Sequence, residues 1–300
     1  MPHTLAVMRA LAVLAVGGLL LVAGCGNGGG SSNSADGELS IATIAAASDR
    51  AAAEGSYRVE GSVEFEGGDD IPFAFEFEGE FNTVANAALI AYSSDGLDGA
   101  FNSETRVVEG VLYVEASGLL ERFSFMGEPP TGVRWLKINA PELADAFSLV
   151  PGGDPTATLE NLRGVSDDVI EIGTEQIRGV GTTQYRAEID PDKARAGASE
   201  KLGELPEGQR EAVEDNLDRL GNEPIAVDVW IDDDGLVRRQ EMTFDAAIAA
   251  EPTATVTTLE FFDYGADVDI EAPPADETAT FEEIFGVSPE DIDQLGSVLS

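Results

Sequence analysis

Between residues 56 and 81 the chain alternates with a period of two. Tyr57, Val59, Val63 and Phe65 are interleaved with Arg58, Glu60, Glu64 and Glu66. After Gly67-Gly68-Asp69-Asp70, Phe73, Phe75, Phe77 and Phe81 fall on one parity and Glu76, Glu78 and Glu80 on the other. Side chains of a strand point to opposite faces at successive residues, whereas a helix would scatter this pattern around its circumference. The segment therefore predicts a β-hairpin with one aromatic and one acidic face, turning at Gly67–Asp70. An aromatic face of that size must be covered, so the hairpin has to belong to a larger sheet with something packed against it.

Further strands are predicted at Ala88–Tyr92, Thr105–Glu109, Val111–Glu115 and Arg134–Ile138. A second hairpin is predicted at Val169–Ile177 and Thr182–Ile189, turning at Gly179-Val180-Gly181. Ile225–Ile231, Leu236–Phe244 and Thr253–Tyr264 close the set, and Asp232-Asp233-Asp234-Gly235 reads as a tight turn between the first two. Helical patterns occur at Leu39–Ala53, Pro141–Val150, Thr156–Leu162, Pro191–Gly203 and Pro206–Leu220. A helix, many antiparallel strands, a helical insertion and more strands make an α+β fold. The arrangement expected is one strongly curved antiparallel sheet, a half-barrel, with helices packed on its concave side. The sequence shows no internal domain boundary or short-period repeat over residues 39–272.

The ends of the chain read differently. Arg9 precedes an almost wholly apolar run, Ala10–Ala23, short for a membrane span and suited to a signal segment. It ends Leu21-Val22-Ala23-Gly24-Cys25, the small-residue approach to a cysteine that marks a lipoprotein signal. Residues 1–24 are expected to be removed and Cys25 acylated, with two or more chains holding the protein on the outer face of the cell membrane. Residues 25–38, rich in Gly, Ser and Asn, read as a flexible tether. Residues 273–300 read as a Pro-rich linker and a short amphipathic tail; the acidic linker pattern itself spans Glu271–Thr280. The tail carries Phe281, Ile284, Phe285, Val287, Ile292 and Leu295 and suggests a segment that docks on something.

Composition narrows the chemistry. Fifty-seven acidic residues against 17 basic ones give a formal net charge of −40. Such a surface repels phosphate backbones and anionic headgroups, so nucleic acid is not an expected partner and membrane association requires an anchor. The only cysteine is Cys25 and the only histidine is His3. The mature domain thus lacks the residues for Ser-His-Asp or Cys-His catalysis, for a His-ligated zinc site and for an internal disulfide. An enzyme would be left with carboxylates, or with a serine and one of Lys137, Lys193 or Lys201. Asp232–Gly235 lacks the ligand spacing of a calcium loop. Glu60, Glu64, Glu76 and Glu78 lie on the wet face of the hairpin, where a glycosidase pair is not expected. Trp135 and Trp230 read as strand core, and Gly179-Val180-Gly181 is not a dinucleotide loop. No catalytic residue, metal or cofactor is expected.

Three stretches carry a resemblance. They are Arg178–Asp190 (RGVGTTQYRAEID), Val229–Arg239 (VWIDDDGLVRR) and Phe262–Gly265 (FDYG). Together they resemble the actinobacterial LppX/LprG-type lipoproteins, which share a fold with the LolA/LolB lipoprotein carriers, over roughly residues 39–272. The resemblance implies a half-barrel, and some members hold acylated lipids between sheet and helices. The residues place Val59, Val63, Phe65, Phe73, Phe75, Phe77 and Phe81 on one apolar wall. If helices cover that wall tightly it is ordinary core; if they leave a gap it is a slot for acyl chains or another hydrophobic ligand. The function expected is a non-enzymatic, membrane-anchored lipid or hydrophobic-ligand binder of the cell envelope. The alternative is an envelope interaction or scaffold protein with a solid core and a protein partner.

Overall fold

The computed structural model describes residues 43–44, 46–47, 49–51, 53–66, 74–94, 101–116, 132–138, 169–193, 196, 224–248 and 251–285. β1 (Ser56–Glu66) and β2 (Phe75–Asn82) pair antiparallel, with Tyr57 opposite Phe81, Val59 opposite Gly79 and Val63 opposite Phe75. This register puts every odd-numbered residue of both strands on one face, and the pairing carries that face through the sheet, with Tyr92 of β3 beside Phe77 and Gln240 of β10 beside Leu259. β3 (Ala87–Ser94), β4 (Phe101–Val108), β5 (Val111–Glu115) and β6 (Trp135–Ile138) follow on one side. β7 (Val169–Ile177), β8 (Val180–Ile189), β9 (Ile225–Asp232), β10 (Val237–Ile248) and β11 (Glu251–Phe262) lie on the other.

These strands and β12 (Thr278–Thr280) form a 12-stranded sheet in the order β12-β6-β5-β4-β3-β2-β1-β11-β10-β9-β8-β7. All neighbours are antiparallel except β12, which runs parallel to β6. The fold is thus a large open antiparallel sheet, and its curvature is consistent with a half-barrel. Among the described residues helices are few. Those between 43 and 54 are helical, and Ile44 and Ala47 join the main core cluster on the odd face of β1. The helices expected at 141–150, 156–162 and 206–220 lie outside the described residues, as does the turn at 67–70. Of the helix expected from Pro191 to Gly203, residues 191–193 and 196 are described and helical.

Two tight hairpins differ in detail from the pattern read in the sequence. The β7–β8 turn is Arg178-Gly179, with φ of 49° and 80°, and Val180 already belongs to β8. Two successive positive φ values match the twist of the flanking strands, and glycine at the second position makes the turn accessible. Glu109-Gly110 repeats this between β4 and β5, with φ of 52° and 75°.

The acidic linker expected at 271–280 is, over its last part, ordered structure. After β11 the chain crosses the outer face of the sheet. Val268 and Ile270 bury themselves against Ala87, Leu89 and Val108. Ser56 Oγ donates to the Ala266 carbonyl at 2.6 Å, and Asn82 Nδ2 to the Val268 carbonyl at 3.0 Å. A 3-10 turn, Ala275–Glu277, leads into β12 beside β6. Proline and acidic residues gave this stretch a linker's composition, but the small residues of Thr278–Thr280 suit a third-rank strand at a sheet edge. The helix Phe281–Phe285 follows, and Ile284 packs with Ala116, Leu136 and Ala279. Thr280 and Glu283 cap it reciprocally: the Glu283 carboxylate accepts the Thr280 N–H at 2.8 Å, and Thr280 Oγ1 accepts the Glu283 N–H at 3.3 Å.

Candidate functional site

The odd-numbered face of β1 and its neighbours is the candidate site. Six of the seven wall residues expected from the sequence lie in β1 and β2 on this face: Val59, Val63, Phe65, Phe75, Phe77 and Phe81. Phe73 and Cys25 lie outside the described residues. Following the register, Phe77 is flanked by Gly61 on β1 and Tyr92 on β3, Val63 by Thr257 on β11, and Phe65 by Thr255 on β11. Among the residues whose side chains are described, no charged side chain occupies this face on β1 to β6, on β8 to β10, or on β11 from Thr255 to Phe261. Glu171, at the β7 edge opposite Tyr185, is an exception outside that set.

Burial is graded along the wall. Val59, Phe77 and Phe81 are 1%, 4% and 7% exposed and sit with Tyr57, Ile90, Leu259, Phe261 and the helical Ile44 in the main core. Val63, Phe65 and Phe75, one to three residue pairs further along, are half-buried. Glycines shape the packed end. A Cβ built on Gly61 would lie within the Phe77 ring, and one on Gly79 would come within 2.8 Å of Phe81 and Val59. Tyr57 and Phe81 stack at 4.9 Å, while Phe65 and Phe75 meet edge to face at 6.4 Å. Burial also pushes the Tyr92 hydroxyl above its ordinary titration range, so the phenol stays neutral on this face.

Polar groups on the same face were not singled out by the sequence pattern. Gln240 on β10 is 1% exposed, and Thr255 and Thr257 on β11 are 3% and 2% exposed. Neither amide atom of Gln240, nor Thr255 Oγ1, has a hydrogen-bond partner. The signal available in the sequence was Gln240 alternating with Met242 and Phe244, whereas Val237 joins the same face only through the register shift between Val237 and Arg239.

The charged and tryptophan members of the three motif stretches lie elsewhere, on the outer face, while their apolar members Ala187, Ile189, Val229, Ile231 and Val237 belong to the main core. The β7–β8 hairpin tip reaches over that face to β11 and β1. Arg178 donates to Glu260 at 2.8 Å and to Glu60, and its guanidinium lies 4.1 Å from the Phe262 ring centroid. Arg239 donates to the other Glu260 oxygen at 3.0 and 2.5 Å. Trp230 Nε1 donates to Glu175 at 3.0 Å, with Arg239 over its ring at 5.4 Å. Tyr264 donates to the Val237 carbonyl at 2.7 Å. Trp230 and Trp135 are each 5% exposed, but both sit on the outer face, beneath Arg239 and Arg106 respectively. These contacts join three hairpins mechanically, and of their side chains Tyr264 also packs on the main core, 5.9 Å from the Tyr57 ring centroid. The carboxylates at 64, 76 and 78 are exposed, as expected for a wet face. Among the described residues no group of three or more acidic, His or Cys side chains is placed to hold a metal, and no helix is long and apolar enough to cross a membrane.

Burial alone would raise the Glu260 pKa, but hydrogen bonds from Arg239 and Arg178 outweigh it and hold the carboxyl below its ordinary 4.5. A lowered folded value means that the group's stabilisation is complete above the unfolded pKa and is lost as pH falls through the folded one. The wild-type melting temperature should therefore drop from about pH 5 to about pH 3. Glu260→Gln should flatten part of that drop in a series of thermal melts; identical acid profiles would contradict the assignment.

No family model matches the chain. An uncharacterized 31.2 kDa protein of Streptomyces griseus is 31% identical over 121 residues, 40% of this chain and 37% of that protein. The match thus spans little more than a third of that relative's length. Among solved structures the chain is similar to LprF from Mycobacterium bovis, at 14% identity and a TM-score of 0.46, covering 79% of this chain and 97% of that one. It is similar to the Mycobacterium tuberculosis lipoprotein LppX at 14% identity and a TM-score of 0.45, covering 78% and 99%. A putative outer membrane lipoprotein-sorting protein domain from Vibrio parahaemolyticus is more remote, at 8% identity and a TM-score of 0.24, covering 76% and 92%. LppX is of the group that the motifs at 178–190, 229–239 and 262–265 resemble.

Proposed function

We propose that this chain is a membrane-tethered, non-enzymatic protein that holds an acyl chain or a similar hydrophobic ligand against the inner face of its sheet. In this reading the sheet is a half-barrel with helices on its concave side, and Cys25 carries the lipid that keeps the protein on the outer face of the cell membrane. The carrying observation is the graded wall. An uncharged face runs across most of the sheet, packed tight around Phe77 and Phe81 and only half-buried at Val63, Phe65 and Phe75. A core needs no such gradient, whereas a wall that receives a chain needs apolar side chains with contact area to spare. Each buried methylene contributes about 0.8 kcal/mol, so a long acyl tail laid on this wall gains several kcal/mol over water. The absence of any histidine beyond His3 and of any thiol beyond Cys25 leaves the wall, not a catalytic group, to carry the function.

The test is the organic extract of a form beginning at Gly26, which lacks Cys25 and is never acylated. Mass spectrometry should find non-covalent acyl lipid at near-stoichiometric yield. The Phe65→Ala/Phe75→Ala variant should lose most of it, by about tenfold or more, because two half-buried rings together give up about 2 kcal/mol of ligand contact. Extracts free of lipid, from protein whose inner face is filled by its own side chains, would overturn the reading.

A further inference from the structure

Among the described residues Gln240 is the one amide side chain within the uncharged wall, and it lies beside Leu259 on β11 and Val229 on β9. It is 1% exposed, and neither its Nε2 donor nor its Oε1 acceptor is used by the protein. Buried side-chain amides are nearly always hydrogen-bonded, since an unused donor or acceptor has lost its water and gained nothing. Glutamine is also a poor choice where only packing matters: leucine or methionine would fill the same volume without that cost. Thr255 Oγ1, on the same face and four residues past Leu259 along β11, is a second unused polar atom. It stands next to Phe65, on the half-buried part of the wall.

Resting on the hydrophobic-ligand reading above, we propose that Gln240 is a specificity-determining residue that hydrogen-bonds the polar linkage of the ligand. It selects an uncharged acyl ester with a neighbouring hydroxyl, the chemistry of a diacylglycerol. Both amide atoms are free, so both are satisfied only by a group offering an acceptor and a donor together. An ester carbonyl accepts from Nε2, and a hydroxyl donates to Oε1. A fatty-acid carboxylate supplies acceptors alone and brings a charge that the neutral hydroxyls of Thr255 and Thr257 on the adjacent β11 do not neutralise. A plain hydrocarbon fills the wall and leaves the amide unpaired.

The experiment offers the full chain, in mixed detergent micelles, equimolar isotope-labelled dioleoylglycerol, oleate and hexadecane. The protein is captured, washed and extracted, and each label is quantified by mass spectrometry. The wild type should retain dioleoylglycerol over oleate by about tenfold or more. Gln240→Leu should lose about tenfold in dioleoylglycerol retention, keep its hexadecane, and melt at a higher temperature than the wild type, because leucine removes the unpaired amide. Thr255→Val should lose a smaller factor. A merely structural glutamine would move the melting temperature and leave the lipid ratio untouched. Equal retention of dioleoylglycerol by the wild type and Gln240→Leu overturns the role of Gln240, as does a preference for oleate. Failure of the wild type to retain any of the three, hexadecane included, overturns the hydrophobic-ligand reading itself and this inference with it.

Discussion

Phe77→Ala is expected to destabilise the protein by about 3–5 kcal/mol, the range for removing a buried phenylalanine from a close-packed interior. In a domain of this size that lowers the melting temperature by about 10 °C. The ring is 4% exposed, lies over Gly61 of β1, and touches Tyr92 of β3 at 6.1 Å between centroids. It bridges three strands, and no neighbour can collapse into its place, because the floor beneath it is bare glycine backbone. The same geometry sets up a paired test. Gly61→Val puts a branched side chain into the volume the ring occupies and should cost about 1–3 kcal/mol by overpacking. In the Phe77→Ala background that cost should largely vanish, and the valine should fill part of the cavity. A double-mutant cycle from denaturant titrations reads this directly as a coupling of opposite sign to the single effects. Additive losses would mean that the ring does not sit on Gly61.

The paired glycine and phenylalanine illustrate how much of the wall was legible in the sequence. Alternation alone placed Val59, Val63, Phe65, Phe75, Phe77 and Phe81 on one face, because a strand has only two faces and the charges occupied the other. It could not show that Gly61 and Gly79 are sockets, since a glycine reads as a gap in the pattern until its cross-strand partner is known. Nor could it rank the wall residues by burial. The buried end of the wall shares its cluster with the helical residues Ile44 and Ala47, distant in sequence from β2. Gln240 escaped notice because a single polar residue on core parity looks like noise in a two-letter pattern. The strand β12 escaped because Pro273, Pro274 and the acidic residues around them dominate the local composition. Yet Thr280 followed three residues later by Glu283 is a capping box, and it announced the helix start at Phe281. Trp230 was legible as buried but not as outward-facing: its cover is the tip of another hairpin, brought there by Arg178 and Glu175. The charged and tryptophan positions of the motifs belong to this clasp, while their apolar positions, Val229 among them, lie on the core face.

Asp232→Ala is the second large effect, and it comes from a turn. The carboxylate is 3% exposed and accepts three hydrogen bonds: from the Asp234 N–H at 3.0 Å, the Leu236 N–H at 2.8 Å and Arg238 Nε at 2.6 Å. Gly235, at φ 80°, turns the chain so that both N–H groups point at one oxygen. Alanine leaves two main-chain donors and a mostly buried guanidinium without their acceptor, and water can reach them only by opening the β9–β10 turn. Removing one partner of a buried charged pair costs about 3–5 kcal/mol, and the 18% exposure of Arg238 puts this case at the lower end, about 3 kcal/mol. Asp232→Asn should recover about half of it: the amide oxygen still accepts from the turn N–H groups, but the amide nitrogen then faces Arg238 donor to donor. Because Asp232 shares the outer parity of β9 with Trp230 and the hydrogen bonds of its carboxylate stay within residues 232–238, folded Asp232→Asn protein should retain lipid per molecule as the wild type does. Lipid loss in proportion to unfolded protein fits this separation of roles. Lipid loss from fully folded protein would place the turn within the ligand site instead.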